Sequence, residues 1–302
     1  MKIMNKIIGI FSLFFLFLFT NCTQDKTKKE SILANTSEEF SFAFLTDVHL
    51  NKDNTGNGNE GLMKALENVK TKGVDFVIFG GDNTDLNILK SEEEVTADSL
   101  NARFKSIVDN SGLKAYFTIG NHDHYYTFNK QPDTTGIKMF EKYFGKTTYS
   151  FDHKDVHFVV LNSVPRDDAY YIRDEQFQWL KKDLDRIGND MPVVVVTHVP
   201  FQSLYYPAVE GKIVQKDMLD NFKQVWDLLL DYNVKLILQG HQHLYEDLYV
   251  KNTNFLTGGA VSGAWWKGAL FGTEEGYVMV KVDPKQNLSW EYIDYGWEVI
   301  NK

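Results

Sequence analysis

A single cysteine, Cys22, stands in 302 residues, so no intramolecular disulfide can form and the cysteine-rich ligand sets of structural zinc are excluded. Basic residues are also in deficit, with 32 Lys and Arg against 41 Asp and Glu and a net charge of −9. A broad grip on nucleic-acid phosphates relies on the opposite balance, which argues against long nucleic acids as partners. No internal repeat, low-complexity tract or linker interrupts the chain after Phe40. What is present is a globular composition, 43% hydrophobic and 24% charged, which excludes intrinsic disorder over most of the length.

The N-terminus reads separately. Lys2 and Lys6 precede an almost unbroken apolar run that ends at Thr20, followed by Asn21 and Cys22. A basic region followed by an apolar one is a secretory signal. A cysteine directly after it resembles a bacterial lipoprotein signal, in which that residue is lipidated and becomes the mature N-terminus. Asn21 and Phe19 depart from the usual Gly or Ala and Leu of that pattern, and an uncleaved N-terminal anchor is the alternative. Either way the expectation is an exported, membrane-attached chain: a signal over 1–22, a polar tether over 23–39 and one domain over 40–302.

From Phe40 onward apolar strand-like runs alternate with amphipathic helical stretches, the mark of an α/β domain with strands buried on both faces. The runs are FSFAFLTD, VDFVIFGGD, KAYFTIGNHD, VHFVVLNS, MPVVVVTHVP and VKLILQGHQH. Helices are expected at GLMKALENVK, around Ser91–Val108, at EQFQWLKKDLDRI and at LDNFKQVWDLLLDY, with Ser91 and Glu94 as a capping box. After Asn254, GYVMVKVD and LSWEYIDYG follow one another without a helix and predict a β-rich closing sheet.

Five of these runs end in metal donors: Asp47 and His49; Asp82; Asn121, His122, Asp123 and His124; His198; His241 and His243. Functional groups gather outside the carboxyl ends of strands in open α/β sheets. Residues i and i+2 of an extended strand point the same way, so Asp47/His49 and His241/His243 can each present two ligands to one side. Seven of these donors, Asp47, His49, Asp82, Asn121, His198, His241 and His243, are too many for one tetrahedral ion and suit two ions that share a carboxylate, for which Asp82 is the natural bridge. Gly80, Gly81, Gly120 and Gly240 precede the ligands and permit close approach.

The ordered series DVH, GGDN, GNHD, THVP and GHQH resembles the calcineurin-like metallophosphoesterase superfamily from Phe40 to His243, and includes features of its cyclic-nucleotide phosphodiesterase and purple acid phosphatase-like branches. The resemblance implies a four-layer α/β/β/α sandwich with a dinuclear centre at the strand ends. It also implies residue roles: Asp47, His49, Asp82 and His243 on one metal; Asp82, Asn121, His198 and His241 on the other. A water between the two ions would attack phosphorus in line. His122 would be the general acid, with Asn121 and His122 touching substrate and Asp123 orienting His122. Purple acid phosphatases carry a tyrosine three residues after the bridging Asp. Asp85 stands there, which points away from an iron(III)–tyrosinate centre and toward divalent Mn, Zn or Fe.

Outside the motifs, His153 and His157 read as hydrogen-bonded core residues, while His124 is ambiguous. Trp265 and Trp266, in a Gly-rich stretch, could wall a substrate pocket or belong to the core. The functional expectation is hydrolysis of a small phosphodiester or phosphomonoester. The alternative is a metal-stabilised binding protein that has lost catalysis. No Arg stands beside the motifs as a clamp for a dianion, since Arg103, Arg166, Arg173 and Arg186 lie elsewhere, and this tilts the expectation toward diesters.

Overall fold

Strands covered on both faces lose the alternation of a half-exposed strand and read as continuous apolar runs, and all six such runs are strands in the computed structural model, which describes residues 38–299. The expected signal, Cys22 and nearly all of the tether lie outside the described residues. The described residues fall within one compact unit, Thr36–Lys302. Among them no helix is long and apolar enough to cross a membrane.

Two sheets carry the fold. The first has five strands in the order β13 (Leu288–Asp294), β12 (Gly276–Val282), β1 (Phe40–Leu45), β2 (Phe76–Phe79) and β3 (Ala115–Phe117). β1, β2 and β3 run parallel, while β12 pairs antiparallel with β1 and β13 with β12. The second has six strands: β10 (Tyr245–Val250), β11 (Thr253–Gly258), β9 (Val234–Gln239), β8 (Val193–Val196), β7 (Val156–Val160) and β6 (Tyr149–His153). Its four central strands are parallel and its two edges antiparallel. A small hairpin joins β4 (Thr127–Phe128) to β5 (Gln131–Pro132). The two C-terminal strands extend the first sheet rather than forming a sheet of their own.

Three apolar layers separate four layers of structure. Along β1, Phe42 and Phe44 point between the sheets while Ala43 and Leu45 point outward, the period-2 geometry of a strand. The outward set packs beneath α1 (Gly58–Thr71), α2 (Glu94–Ser111) and α3 (Lys138–Phe144). On β8, Val194 and Val196 meet the first sheet, and Val193 and Val195 pack under α4 (Asp174–Ile187) and α5 (Phe222–Leu229). Between the sheets aromatic rings interlock: Phe42 stacks on Phe76 at 5.2 Å and meets Phe158 edge-on at 5.3 Å. The result is an α/β/β/α sandwich.

The expected capping box does not form. Helix α2 starts at Glu94 with Glu93 at its N-cap and no side-chain cap. The Glu94 carboxylate accepts the backbone N–H groups of Asn129 and Lys130, 35 and 36 residues away, and the Ser91 hydroxyl reaches only Glu92. A tertiary demand for hydrogen bonds at the β4–β5 turn outcompetes the local cap.

Candidate metal centre

Each strand stops two to four residues before its ligands, so the donors stand on loops at the carboxyl edges of both sheets. Asp47 follows β1, Asp82 follows β2 and Asn121 follows β3; His198 follows β8, and His241 and His243 follow β9. The first sheet thus contributes the carboxylates and the amide, and the second three of the imidazoles. The pairs Asp47/His49 and His241/His243 do converge, though not as an extended strand would make them. Asp47, His49, Asp82, His241 and His243 all have left-handed backbone, with φ from 51° to 71°. That conformation is strained for residues with a Cβ and clusters at functional sites. The loops are held by backbone bonds between motifs: Asp47 N–H donates to Gly81 O at 3.0 Å, His49 N–H to Asp82 O at 2.9 Å and Gly240 N–H to His198 O at 2.8 Å. Glycine is required at two of these crossings. A Cβ at Gly120 would fall on the carboxylate and backbone nitrogen of Asp82, and one at Gly240 on the side chains of Thr46 and Asp47.

The hydrogen bonds of three imidazoles decide which nitrogen faces the centre. Nδ1 of His49 lies 2.7 Å from Asp85, Nδ1 of His243 lies 2.6 Å from Gly263 O, and Nδ1 of His198 lies 2.9 Å from Gly80 O. Each of these partners is an acceptor, so each Nδ1 carries the proton and Nε2 presents a lone pair. The three Nε2 atoms turn to the same carboxylates. His198 Nε2 is 3.2 Å and His49 Nε2 3.6 Å from Asp82, and His243 Nε2 is 3.4 Å from Asp47. His49 and His243 then point Nε2 at Nε2 across 3.0 Å in a buried site. Two lone pairs at that distance beside two carboxylates fit a cation between them. Asp47, His49 and His243 form one group of donors that could hold an ion, and Asp82, His198 and His241 a second. Asn121 joins the second through Oδ1, 3.1 Å from His198 Nε2.

The protein's own charges tell the same story. Burial would raise the Asp82 carboxyl, yet the imidazoles of His198 and His122 hold it well below the usual range. Burial would lower His198, but Asp82 beside it pushes it up to about 9, so without an ion Nε2 carries a proton toward Asp82 that a bound cation would displace. Burial and the neighbouring His198 depress His241 to about 4, leaving it a neutral ligand.

His122 takes no place in either group of three around Asp47 or Asp82, but with His49 and Asp85 it forms a third group whose donor atoms lie close enough to hold an ion. Its ring is a quarter exposed at the mouth of the site. Asp123, expected to orient it, turns instead to the backbone: its carboxylate accepts N–H groups from Asn83, Thr84 and Gly120 at 2.9–3.0 Å and the Asn83 amide at 3.0 Å. It ties the GGDN loop to the GNHD loop, and burial together with Asp82 raises it to about 7. The carboxylate next to His122 is Asp85, 3.2 Å from Nδ1 but off line for a hydrogen bond. Asp85 touches His49 and His122 together. Burial would raise it, but the two imidazoles hold it at about 2. Sequence reasoning noted Asp85 only as the residue standing where a tyrosine would be; its three-residue spacing from Asp82 was the available signal.

The remaining aromatics and histidines sort clearly. His124 is buried with its ring nitrogens 3.0 Å from the carbonyls of Thr135 and Val164, and His157 sits between Asp152 and Asp183. His153 packs edge-on against Phe40 and Phe76. All three are structural. Trp266 is core, 1% exposed, and fills the space above Gly56, Gly58 and Gly61. Trp265 is wall: it is 44% exposed, and its indole lies 4.3 Å from the ring of His243 and 5.6 Å from that of His49. The two readings of the Trp pair are each right for one residue. Trp265 lines a cleft of about 340 Å³ that opens beside His49, Asp82, His122, His241 and His243.

A four-layer sandwich with two donor groups at the carboxyl edges of its sheets is the architecture of a two-metal hydrolase. Comparison with known proteins gives the family. The profile described as Calcineurin-like phosphoesterase matches residues 40–245, about two thirds of the chain, and the chain belongs to that family. Members use two divalent metal ions, and the groups above supply ligands for two. Purple acid phosphatase 15 of Arabidopsis thaliana is 31% identical over 100 residues, 32% of this chain and 17% of that protein. The chain spans about a fifth of the length of the curated relatives it matches. In fold it is similar to a dimetal phosphatase from Danio rerio, with a TM-score of 0.58, 15% identity and coverage of 85% of this chain and 99% of that one. Purple acid phosphatase PPD1 from yellow lupin (Lupinus luteus) seeds gives a TM-score of 0.59 at 15% identity, over 86% and 52%.

Proposed function

We propose that this chain hydrolyses small phosphate esters, diesters in preference to monoesters, with two divalent ions. Asp47, His49, Asp82 and His243 would hold one, and Asp82, Asn121, His198 and His241 the other. The observation that carries this reading is the convergence of three Nε2 lone pairs on Asp82 and Asp47, each fixed by an acceptor on the far side of its ring. Two ions held by these residues would supply Lewis acidity, acidifying water and drawing charge from the phosphoryl oxygens.

The chain's own residues do the rest. His122 stands at the mouth of the cleft with Asp85 beside its Nδ1, and without ions Asp82 and Asp85 raise it to about 9 against the effect of burial. It serves as general acid to the leaving oxygen, and Asp85 fixes its charge and position. Preference for diesters is supported by the cleft lining, which among the described residues includes no Lys or Arg to meet a second phosphate charge. The test is paired rates on 4-nitrophenyl phosphate and bis(4-nitrophenyl) phosphate with the full chain loaded with Mn. Faster, chelator-sensitive diester cleavage is expected; no chelator-sensitive turnover of either ester defeats the proposal. His122→Ala should keep its metal content and lose about 10²–10⁴-fold in kcat.

The same reading extends to location. Lys2, Lys6, the apolar run to Thr20 and Cys22 support export with lipid attachment at Cys22. Mass spectrometry of the mature N-terminus tests it, and an intact Met1 rules out cleavage.

A further inference from the structure

The cleft next to the metal ligands has a chemistry of its own, distinct from the phosphate end. Its outer walls are aromatic: Tyr205, Tyr206, Trp265 and Phe271. Two of these are held out toward solvent, Trp265 at 44% and Phe271 at 64% exposure. Both have left-handed backbone, with φ of 54° and 48°. Trp265 is fixed by its buried neighbour Trp266, whose indole N–H reaches His49 O at 3.4 Å. Tyr205 meets Phe271 edge-on at 6.1 Å and Tyr206 at 5.2 Å, which links the 201–217 loop to the 262–275 loop across the mouth. The same walls carry two carboxylates, Glu210 and Asp217.

Aromatic faces with carboxylates and, among the described residues, no Lys or Arg in the lining are a poor place for a second phosphate and a good one for an ammonium ion, which is drawn to ring faces and to negative charge together. The structure already contains an example. The Lys216 ammonium lies 5.4 Å over the Tyr206 ring and 3.8 Å from Asp217, whose carboxylate also accepts the Tyr206 hydroxyl. Glu210 meets Lys212 at 2.6 Å. Both lysines are about two-thirds exposed on flexible stems outside the cleft lining, so a substrate ammonium entering from the metal side competes with weak, solvent-screened contacts.

We propose that this cleft binds an ammonium group carried by one alcohol of the substrate, so that the preferred substrates are phosphodiesters of amino alcohols. The proposal rests on the hydrolase reading above. The phosphodiester would bring its single negative charge to the ions that Asp47, Asp82 and their neighbours would hold, and its positive end to Trp265, Glu210 and Asp217, a polarity that matches the cleft from one end to the other.

The test uses the full-length chain, loaded with Mn, on two esters with the same leaving group: 4-nitrophenyl phosphorylcholine and 4-nitrophenyl 3,3-dimethylbutyl phosphate. In each, water adds to phosphorus, the bond to 4-nitrophenolate breaks, and the phosphoryl alcohol is the other product. The second ester replaces the charged nitrogen with carbon and keeps the shape. The choline ester should be preferred at least about tenfold in kcat/KM. Trp265→Ala and Glu210→Gln should each pull that ratio toward one. A wild-type ratio near one, with both esters turned over, overturns the ammonium site and leaves the hydrolase reading standing. Calorimetric binding of phosphocholine against 3,3-dimethylbutyl phosphate needs no turnover, so it judges the site even if no ester is cleaved: equal affinities overturn it and tighter phosphocholine binding upholds it.

Discussion

Replacing Asp85 by Asn removes one charge while keeping the shape, and the structure says what that charge is worth. Asp85 is mostly buried against the imidazoles of His49 and His122, and its carboxyl falls from an ordinary 3.8 to about 2. Each tenfold change in an acidity constant is about 1.4 kcal/mol, so the chelated protein should lose about 2 kcal/mol of stability at pH 6. The pH dependence has two limbs. A lowered carboxyl contributes stability that is present above its unfolded value and lost as pH falls through its folded one, so the deficit fades between about pH 4 and pH 2. The raised imidazole of His122 contributes fully below its unfolded value of 6.5 and loses that contribution as pH rises through about 9. Asp82 is the larger cause of the raised His122 and remains in the variant, so only the share owed to Asp85 enters this second limb. Urea unfolding of wild type and Asp85→Asn in excess chelator, from pH 3 to pH 10, should therefore give a deficit that is flat between about pH 4 and 6.5 and shrinks on both sides. A deficit below about 0.5 kcal/mol at pH 6, or one independent of pH, refutes the reasoning.

Two further outcomes follow from packing and from crowding at the ligands. Trp266→Ala should destabilise the fold by about 3–5 kcal/mol in the same assay, since it empties the space above Gly56, Gly58 and Gly61, and a loss under 1 kcal/mol would mean the loop carries its own position. Gly120→Ala drives a methyl group into Asp82, so metal analysis of the purified protein should fall from about two ions per chain to less than one; full occupancy would show that Asp82 can move aside.

Much of this architecture is legible in the sequence because burial leaves a local trace. FVIF and VVVV lie under cover on both faces and are apolar throughout, and FSFAFL and VKLILQ are apolar but for Ser41, Lys235 and Gln239. The ligands are legible because each sits at the end of such a run. What the sequence hides is the contact between distant positions. Asp85 and His122 are neighbours only after folding, whereas Asp123, adjacent to His122 in sequence, faces the backbone of another loop. Likewise Ser91 and Glu94 satisfy a local pattern whose glutamate is claimed by a turn 35 residues on. The convergence of Asp47 with His49 was foreseeable; its cause, left-handed backbone beyond the strand end, has no signature in residue type.

The division of the ligands between two sheets bears on the order in which the molecule is assembled. A chain emerging from its N-terminus acquires Asp47, Asp82 and Asn121 first and still lacks every imidazole of the second sheet, so neither ion has its full set of donors. His49 finds His243 only across 194 residues of chain. Strand β1, the earliest of all, gains its antiparallel neighbour only when Gly276–Val282 returns to it. Two ions held by these residues would need donors from both sheets, so their capture would report that the loops of both halves of the sandwich have met.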